Sequence, residues 1–132
     1  MDPTLSFLLN YIDLAPLALR LAIGPIFLLH AMPKLKNPGS MVQGLGMPSG
    51  MVTLVGLFEV VGGALTLLGL LTRIGALLLI VIMLGAIRMV HGKHGFFLGH
   101  SPESTLATAG YEYNLALIGL LAPILIAGPG RF

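Results

Sequence analysis

The chain has 132 residues, of which 56% are hydrophobic and only 9% are charged. A soluble domain usually carries about 25% charged residues, so this composition does not provide a water-facing surface, whereas a bundle embedded in a lipid bilayer needs none. The net charge of +2 is too small to indicate a nucleic-acid partner. The absence of cysteine excludes disulfides and thiol redox chemistry within the chain itself.

Four apolar stretches follow one another along the chain, and each is long enough for a membrane-spanning helix. A lead-in, Met1 to Asp13, either lies along the membrane interface or forms a frayed first turn. Thr72 and Arg73 are expected to form a short turn, which joins antiparallel helices. The predicted spans cover residues 14–31, 51–71, 74–91 and 110–128. The sequence therefore predicts one all-α domain over residues 1–132, an integral membrane four-helix antiparallel (up-down-up-down) bundle.

Two glycine-rich connectors, residues 37–50 and 92–109, lie at one end of this bundle, here named the connector side. Both chain termini lie at the opposite end, the terminal side. The first connector also contains apolar residues, including Met41, Val42 and Leu45. We therefore expect it to fold back against the mouth of the bundle.

Glu59 is the most unusual residue because it lies about 12 Å inside the second span at 1.5 Å per residue. An unpaired charge at such a depth costs roughly 2.5–3.5 kcal/mol, so Glu59 needs a partner, for which Arg88 and Arg20 are the expected residues. Most other ionisable groups at membrane depth gather at the connector side, and Arg20 enters from the terminal side. The candidate binding residues are Arg20, His30, Glu59, Arg88, His91, Tyr111, Glu112 and Tyr113.

Three interpretations of this polar cluster remain open from the residues alone. It is a structural ion-pair network that holds the helices together, a pocket for an amphiphile such as a quinone or a lipid, or a proton or ion path that would require an oligomer. Tyr111 and Tyr113 also lie where interfacial aromatic belts occur. His91, His94 and His100 match no standard metal-site spacing. No metal site is therefore predicted, and these histidines are expected to be solvated at the interface.

Several short motifs in order resemble those of DoxX-type membrane proteins, which are small four-helix bacterial and archaeal proteins. The resemblance extends from Leu17 to Arg131. The motifs that carry it are Leu19-Arg20-Leu21 with Gly24-Pro25 and His30, Glu59-Val60-Val61-Gly62-Gly63, and Gly110-Tyr111-Glu112-Tyr113. On this resemblance, the polar positions of the family fall on Arg20, Glu59, His91 and Glu112.

The resemblance implies a multi-pass protein of the bacterial or archaeal cytoplasmic membrane. Some relatives look like subunits of a thiosulfate:quinone oxidoreductase, and others are associated with membrane oxidoreductase complexes. Because this chain lacks cysteine, a quinone-facing or scaffolding role is expected rather than thiosulfate chemistry of its own. The expected ligand is then a non-covalent quinone. The expected partners are the bilayer together with a membrane or peripheral redox protein, or further copies of the chain.

Overall fold

A computed structural model describes residues 2–97 and 110–132, and these residues form helices and turns without a strand. The α-helices are α1 (Pro3–Leu9), α2 (Leu14–Lys36), α3 (Val42–Leu45), α4 (Ser49–Leu68), α5 (Thr72–Ala86) and α6 (Glu112–Ala127). A 3-10 turn at Pro38–Met41 precedes α3. Helix α5 continues through a π-helical segment, Ile87–His91, into a 3-10 turn at Gly92–His94. The all-α prediction is confirmed.

Among the described residues, three helical stretches are long and apolar enough to cross a membrane, namely Leu14–Lys36, Ser49–Leu68 and Thr72–His94. Helix α6 is apolar but shorter, with 16 residues or about 24 Å. Large apolar side chains are exposed along all four of these helices. Such a surface is unsuited to water and suited to lipid, so the protein is a multi-pass helical membrane bundle.

The four long helices α2, α4, α5 and α6 pack as antiparallel neighbours around a closed bundle. On the pair α5–α6, Arg73 donates a hydrogen bond to the carbonyl oxygen of Ile126 at the terminal side. At the other end of the same pair, the Asn114 side chain meets Met83. Helix α6 also returns to α2, and this is the least extensive of the four interfaces.

Glycines allow α4 to approach both α2 and α5 closely. A Cβ atom added at Gly24 would lie 2.7 Å from the Cβ atom of Leu67, and one added at Gly62 would lie 2.7 Å from the Leu79 side chain. Lipid supplies no hydrophobic driving force between helices, so membrane bundles gain stability from such close backbone contact. Any larger residue at these two positions would separate the helices.

Helix α2 is five residues longer than predicted, since it ends at Lys36 and not at Ala31. Pro33 lies beyond the predicted end, within the helix. A proline removes one backbone hydrogen bond and kinks a helix, and it does not always end one. The extension brings Lys34 into the bundle.

The tight turn between α4 and α5 is formed by residues 69–71, so its predicted place at Thr72 and Arg73 was wrong. Gly69 ends α4 with a φ of 74°, and Leu71 follows at a φ of 44°. The left-handed conformation at the end of a helix favours glycine. Thr72 and Arg73 are instead the first two residues of α5.

The first connector folds back against the bundle, as predicted. Met47 is buried in a small cluster with Val52 of α4 and Val90 of the π-helical segment. Met41 and Leu45 pack against this cluster. The connector therefore covers the mouth of the bundle at the connector side.

Backbone hydrogen bonds join the two described ends of the second connector. The amide of Gly110 donates to the carbonyl of Phe97 at 2.9 Å, and the amide of Tyr111 donates to the carbonyl of Gly95 at 3.0 Å. These bonds fix the start of α6 against the end of the preceding helical segment. The rest of the predicted connector, including His100, lies outside the described residues.

A candidate ligand site at the connector side

Glu59 is buried, and its partner is Lys34 of α2. The ammonium Nζ of Lys34 donates to Glu59 Oε1 at 3.0 Å and to Oε2 at 3.1 Å. It also donates to the carbonyl oxygen of His30 at 3.3 Å. An ammonium has three donors, so all three are used, and the pair carries no net charge.

The helix positions explain why Lys34 reaches Glu59. Lys34 follows the buried residue Phe27 by seven positions, which keeps both on the inner face of α2. Opposite it, α4 presents Gly56, one turn before Glu59. A Cβ atom at Gly56 would lie 3.0 Å from the Cβ atom of Lys34, so the glycine leaves room for the lysine stem. The prediction that Arg88 or Arg20 pairs with Glu59 was wrong.

Arg20 is buried at the opposite end of the bundle, about 21 Å from Lys34 along α2. Its guanidinium donates to the carbonyls of Thr66 at 3.0 Å, Leu67 at 3.1 Å and Pro129 at 3.2 Å. The last carbonyls of a helix have no partner within it and carry the negative end of its dipole. Arg20 therefore caps α4 and fastens the C-terminal segment at the terminal side.

Arg88 and His91 both lie in the π-helical segment, and their side chains point to different sides of it. Arg88 is exposed, whereas His91 is buried and faces the same cavity as Ala86. Five residues of α-helix turn through about 500°, which would leave His91 roughly 140° away from Ala86. The wider i→i+5 turn of a π-helix reduces that angle. Arg88, predicted to point into the bundle, faces outward, because a position two residues after Ala86 lies on nearly the opposite side of a helix.

A cavity of about 70 Å³ lies beside the Lys34–Glu59 pair. This volume exceeds the roughly 10–15 Å³ that one water needs and is well below the 300–1,000 Å³ of a site that encloses a drug-sized ligand. The polar residues that line it are His30, Lys34, Glu59, His91, Tyr113 and Asn114. The apolar ones include Ile26, Phe27, Met41, Leu45, Met83, Ala86 and Leu117. The cavity thus has mostly apolar walls with a few convergent polar groups.

Three further polar side chains have defined positions at this cavity. His30 Nδ1 lies 2.8 Å from the carbonyl oxygen of Ile26; because a carbonyl only accepts, Nδ1 carries the proton, and Nε2 is the ring nitrogen left for other contacts. The His30 ring stacks on Tyr113 with centroids 5.7 Å apart. Asn114 is buried and donates to the sulfur of Met83 at 3.4 Å, a weak acceptor.

The cavity contains half of the residues that the sequence proposed for a site. His30, Glu59, His91 and Tyr113 line it. The other four lie elsewhere, and these are Arg20, Arg88, Tyr111 and Glu112. Tyr111 packs edge-on against Phe96 with centroids 5.5 Å apart, and Glu112 is the exposed first residue of α6. The sequence missed Lys34 and Asn114, although Lys34 follows His30 by one helical turn and Asn114 is the lone amide of its span.

Comparison with known families agrees with the resemblance in the sequence. The family model described as DoxX matches residues 15–92, more than half of the chain. The chain belongs to the DoxX family. The DoxX match includes both members of the Lys34–Glu59 pair, whereas Tyr113 and Asn114 lie beyond it. Searches of curated proteins and of solved structures gave no significant match.

Glu59, His30 and His91 all line the cavity of this DoxX protein. Within residues 2–97 and 110–132, no group of three His, Cys, Asp or Glu side chains is placed to hold a metal ion. Glu59 is already paired with an ammonium group. What the lining offers is hydrogen bonding from histidine, tyrosine and amide groups next to a neutral ion pair.

Proposed function

We propose that this protein is a membrane subunit of a redox-associated complex and binds the polar head of a quinone, or of a similar amphiphile, in the connector-side cavity. The observation that carries the proposal is the cavity itself, in which apolar walls surround a few polar groups. Ligand sites generally have this character, and ionisable residues within a membrane are functional candidates by default. The redox association is supported by the DoxX membership and by the quinone-linked role that the resemblance implies.

The charge of the cavity favours a neutral head group. Lys34 and Glu59 neutralise each other, so a phosphate or carboxylate head would have to displace Glu59 from the lysine. A carbonyl oxygen does not need to do so, because Tyr113 and Asn114 can each donate a hydrogen bond. A quinone carries two such oxygens on an otherwise apolar ring.

The size of the cavity favours an amphiphile that enters only in part. At about 70 Å³, it is smaller than the roughly 150 Å³ of an engineered cavity that binds benzene. It therefore accommodates the leading carbonyl edge of a ring, while the remainder of the molecule lies toward the hydrocarbon. Met41 and Met83 line the cavity, and methionine side chains adapt readily to a new neighbour.

The role assigned to this chain is binding and orientation of the quinone. With no cysteine in the sequence, thiol electron transfer falls to a partner protein, and any enzymatic activity belongs to a quinone-linked oxidoreductase that contains this subunit. We place that complex in the cytoplasmic membrane of a bacterium or an archaeon. The bilayer supplies the quinone.

Equilibrium binding of a tail-less benzoquinone to the protein in lipid nanodiscs tests the proposal. Ala86→Leu fills the cavity without altering the charged pair, and Ala116→Leu, on the exposed face of α6, is the matched control. We expect saturable binding by the wild type and by Ala116→Leu, and a loss of roughly tenfold or more in affinity for Ala86→Leu. Failure of the wild type to bind, or equal binding by Ala86→Leu, contradicts the proposal.

A second candidate function is a non-catalytic scaffold, and the completeness of the Lys34–Glu59 pair favours it. All three ammonium donors of Lys34 are used within the protein, as a purely structural pair requires. Under this alternative, Glu59→Gln lowers the thermal stability, but the turnover of a partner complex per folded molecule stays unchanged. Ala86→Leu separates the two functions, because it leaves the pair intact while it removes the space for a ligand.

A further inference from the structure

The connector-side cavity contains hydrogen-bond acceptors as well as donors, and the two redox forms of a quinone differ in which of these they can use. A quinone carbonyl oxygen only accepts, whereas the hydroxyl of the reduced form, a hydroquinone, both donates and accepts. Tyr113 and Asn114 supply the donors, since the phenol has an O–H and the amide has an N–H besides the one that contacts Met83. Both forms can use these donors, so the acceptors decide which form binds more tightly.

His30 provides one acceptor, because its other ring nitrogen is already bound within α2. Nδ1 lies 2.8 Å from the carbonyl oxygen of Ile26, one helical turn earlier. Both partners belong to the same helix, so this bond does not depend on whether the cavity is filled. An imidazole whose single proton is on Nδ1 has Nε2 as an acceptor with no hydrogen of its own. A carbonyl oxygen placed against Nε2 leaves that nitrogen without a hydrogen bond, whereas a hydroxyl completes one.

Glu59 provides a second acceptor at the same cavity. Its carboxylate oxygens accept hydrogen bonds from Lys34 at 3.0 and 3.1 Å. A carboxylate has about four acceptor positions on its two oxygens, so these two bonds leave room for a hydroxyl without any displacement of the lysine. Hydrogen bonds to an ionised acceptor are roughly twice as strong as those between neutral groups. The carbonyl oxygens of a quinone can donate to neither acceptor.

We infer, on the basis of the proposed function, that the cavity binds a hydroquinone head more tightly than a quinone head, and that His30 is the residue that distinguishes them. The two rings have nearly the same size, so the cavity of about 70 Å³ admits the leading oxygen of either. What differs is a hydrogen bond to Nε2 that only the reduced form makes. The net contribution of one such bond corresponds to about tenfold in affinity.

Tighter binding of the reduced form also changes the redox potential of the bound ligand. For a two-electron couple, a tenfold difference in binding corresponds to about 30 mV. Because the reduced form is the one stabilised, the bound couple should have a midpoint potential about 30 mV more positive than the free couple. A quinone held in this cavity therefore accepts electrons from a partner protein more readily than a quinone free in the bilayer.

Equilibrium binding of tail-less benzoquinone and of the matching hydroquinone to the protein in nanodiscs, under argon at pH 7.5, tests the inference. An imidazole is ordinarily uncharged at that pH. His30→Phe keeps an aromatic ring against Tyr113 and removes Nε2, and His94→Phe, at a histidine outside the cavity lining, is the matched control. The two compounds partition differently into lipid, but this difference is the same for every variant and cancels when ratios of affinities are compared.

We expect the preference for hydroquinone over benzoquinone to be about tenfold greater in the wild type and in His94→Phe than in His30→Phe. The affinity for benzoquinone itself should change by less than about twofold in His30→Phe, because the quinone makes no hydrogen bond to Nε2. This unequal effect on the two compounds separates a direct contact from a general loss of structure. Partition into empty nanodiscs supplies the same correction without a variant, so the wild type decides the matter even if His30→Phe does not fold.

Other outcomes overturn the inference. If the wild type binds both forms equally after correction, or binds benzoquinone more tightly, the proposed function stands and the preference for the reduced form does not. A preference that persists in His30→Phe shows that another group distinguishes the two forms. A redox titration in which the bound couple has the potential of the free couple, or a more negative one, likewise contradicts the inference. If neither compound binds, both proposals fail.

Discussion

Removal of Lys34 should destabilise the bundle severely, because it leaves the Glu59 carboxylate buried without a partner. Lys34→Met keeps a side chain of similar length and deletes the ammonium. Glu59, with only 3% of its side chain exposed, then loses both of its hydrogen bonds to Nζ. Arg20, the other buried cation of α2, cannot replace them, since it is committed to carbonyls at the terminal side.

The magnitude follows from the geometry of the pair. At the observed separation of 3.0 Å and an effective dielectric constant of about 20, the Coulomb attraction is about 5 kcal/mol. Measured losses on removing one partner of a buried pair are about 3–5 kcal/mol, because the other charge stays buried. We therefore expect Lys34→Met to lower the free energy of unfolding by about 3–5 kcal/mol. Lys34→Met combined with Glu59→Met should fall within about 1–2 kcal/mol of the wild type, since no charge is then left unpaired.

Equilibrium unfolding in mixed micelles, followed by the far-ultraviolet circular dichroism of the helices, measures these differences. Lys36→Met is the matched control, because Lys36 is exposed and only two residues away on the same helix, and it should change the stability by less than about 0.5 kcal/mol. If Lys34→Met loses no more unfolding free energy than Lys36→Met, the buried Glu59 does not depend on Lys34 for its stability, which would contradict this prediction. So would a double variant that is as unstable as the two single variants combined.

Three further predictions concern the packing of the bundle. Arg20→Gln should lower the unfolding free energy by about 2–3 kcal/mol, since buried carbonyls lose charge-assisted hydrogen bonds; stability equal to the wild type in the same unfolding assay would contradict the capping role. Gly24→Ala should destabilise the protein by about 1–3 kcal/mol through overpacking. Gly85→Ala is the control, because a Cβ atom there has open space around it, and it should be neutral or slightly stabilising. Thermal melts that rank the two variants the other way would contradict close contact between α2 and α4 at Gly24. The buried hydroxyls of Thr66 and Thr72 have no hydrogen-bond partner among the described residues. Valine at either position should therefore stabilise the protein by up to about 1 kcal/mol. A clear loss in melting temperature would show instead that these hydroxyls are hydrogen-bonded in the membrane.

The all-α membrane bundle could be predicted from the sequence, because the hydrophobic stretches and their short connections leave few alternative folds. The sequence also identified Glu59 as buried, from the cost of a charge in hydrocarbon. Its partner was not predictable in the same way. The first span was predicted to end at residue 31, which placed Lys34 outside it, although α2 in fact continues through Pro33 to Lys36. Helix ends are the least certain feature of a sequence-based prediction, and here the end of one helix decided the partner.

Arg88 shows a second physical reason for the difference. It was predicted to point inward as a partner of Glu59, but the inner face of α5 includes Met83 and Ala86, which lie about 140–160° from Arg88 at 100° per residue. The π-helical segment Ile87–His91 was not predicted either. No residue pattern in this segment indicates a π-helical turn. Such a turn depends on tertiary packing, here the contact of Val90 with Met47 and Val52. The π-helical segment brings His91 to the cavity.

We propose that a quinone head group binds in the space beside the Lys34–Glu59 pair. A crystal structure grown from lipid with a bromine-labelled benzoquinone measures this directly, because the anomalous signal of bromine locates the ring. We expect a bromine peak at the connector side, in contact with His30 or Tyr113 and beside an intact Lys34–Glu59 ion pair. A structure in which the bromine lies elsewhere, or in which side chains close the cavity at saturating quinone, would contradict it.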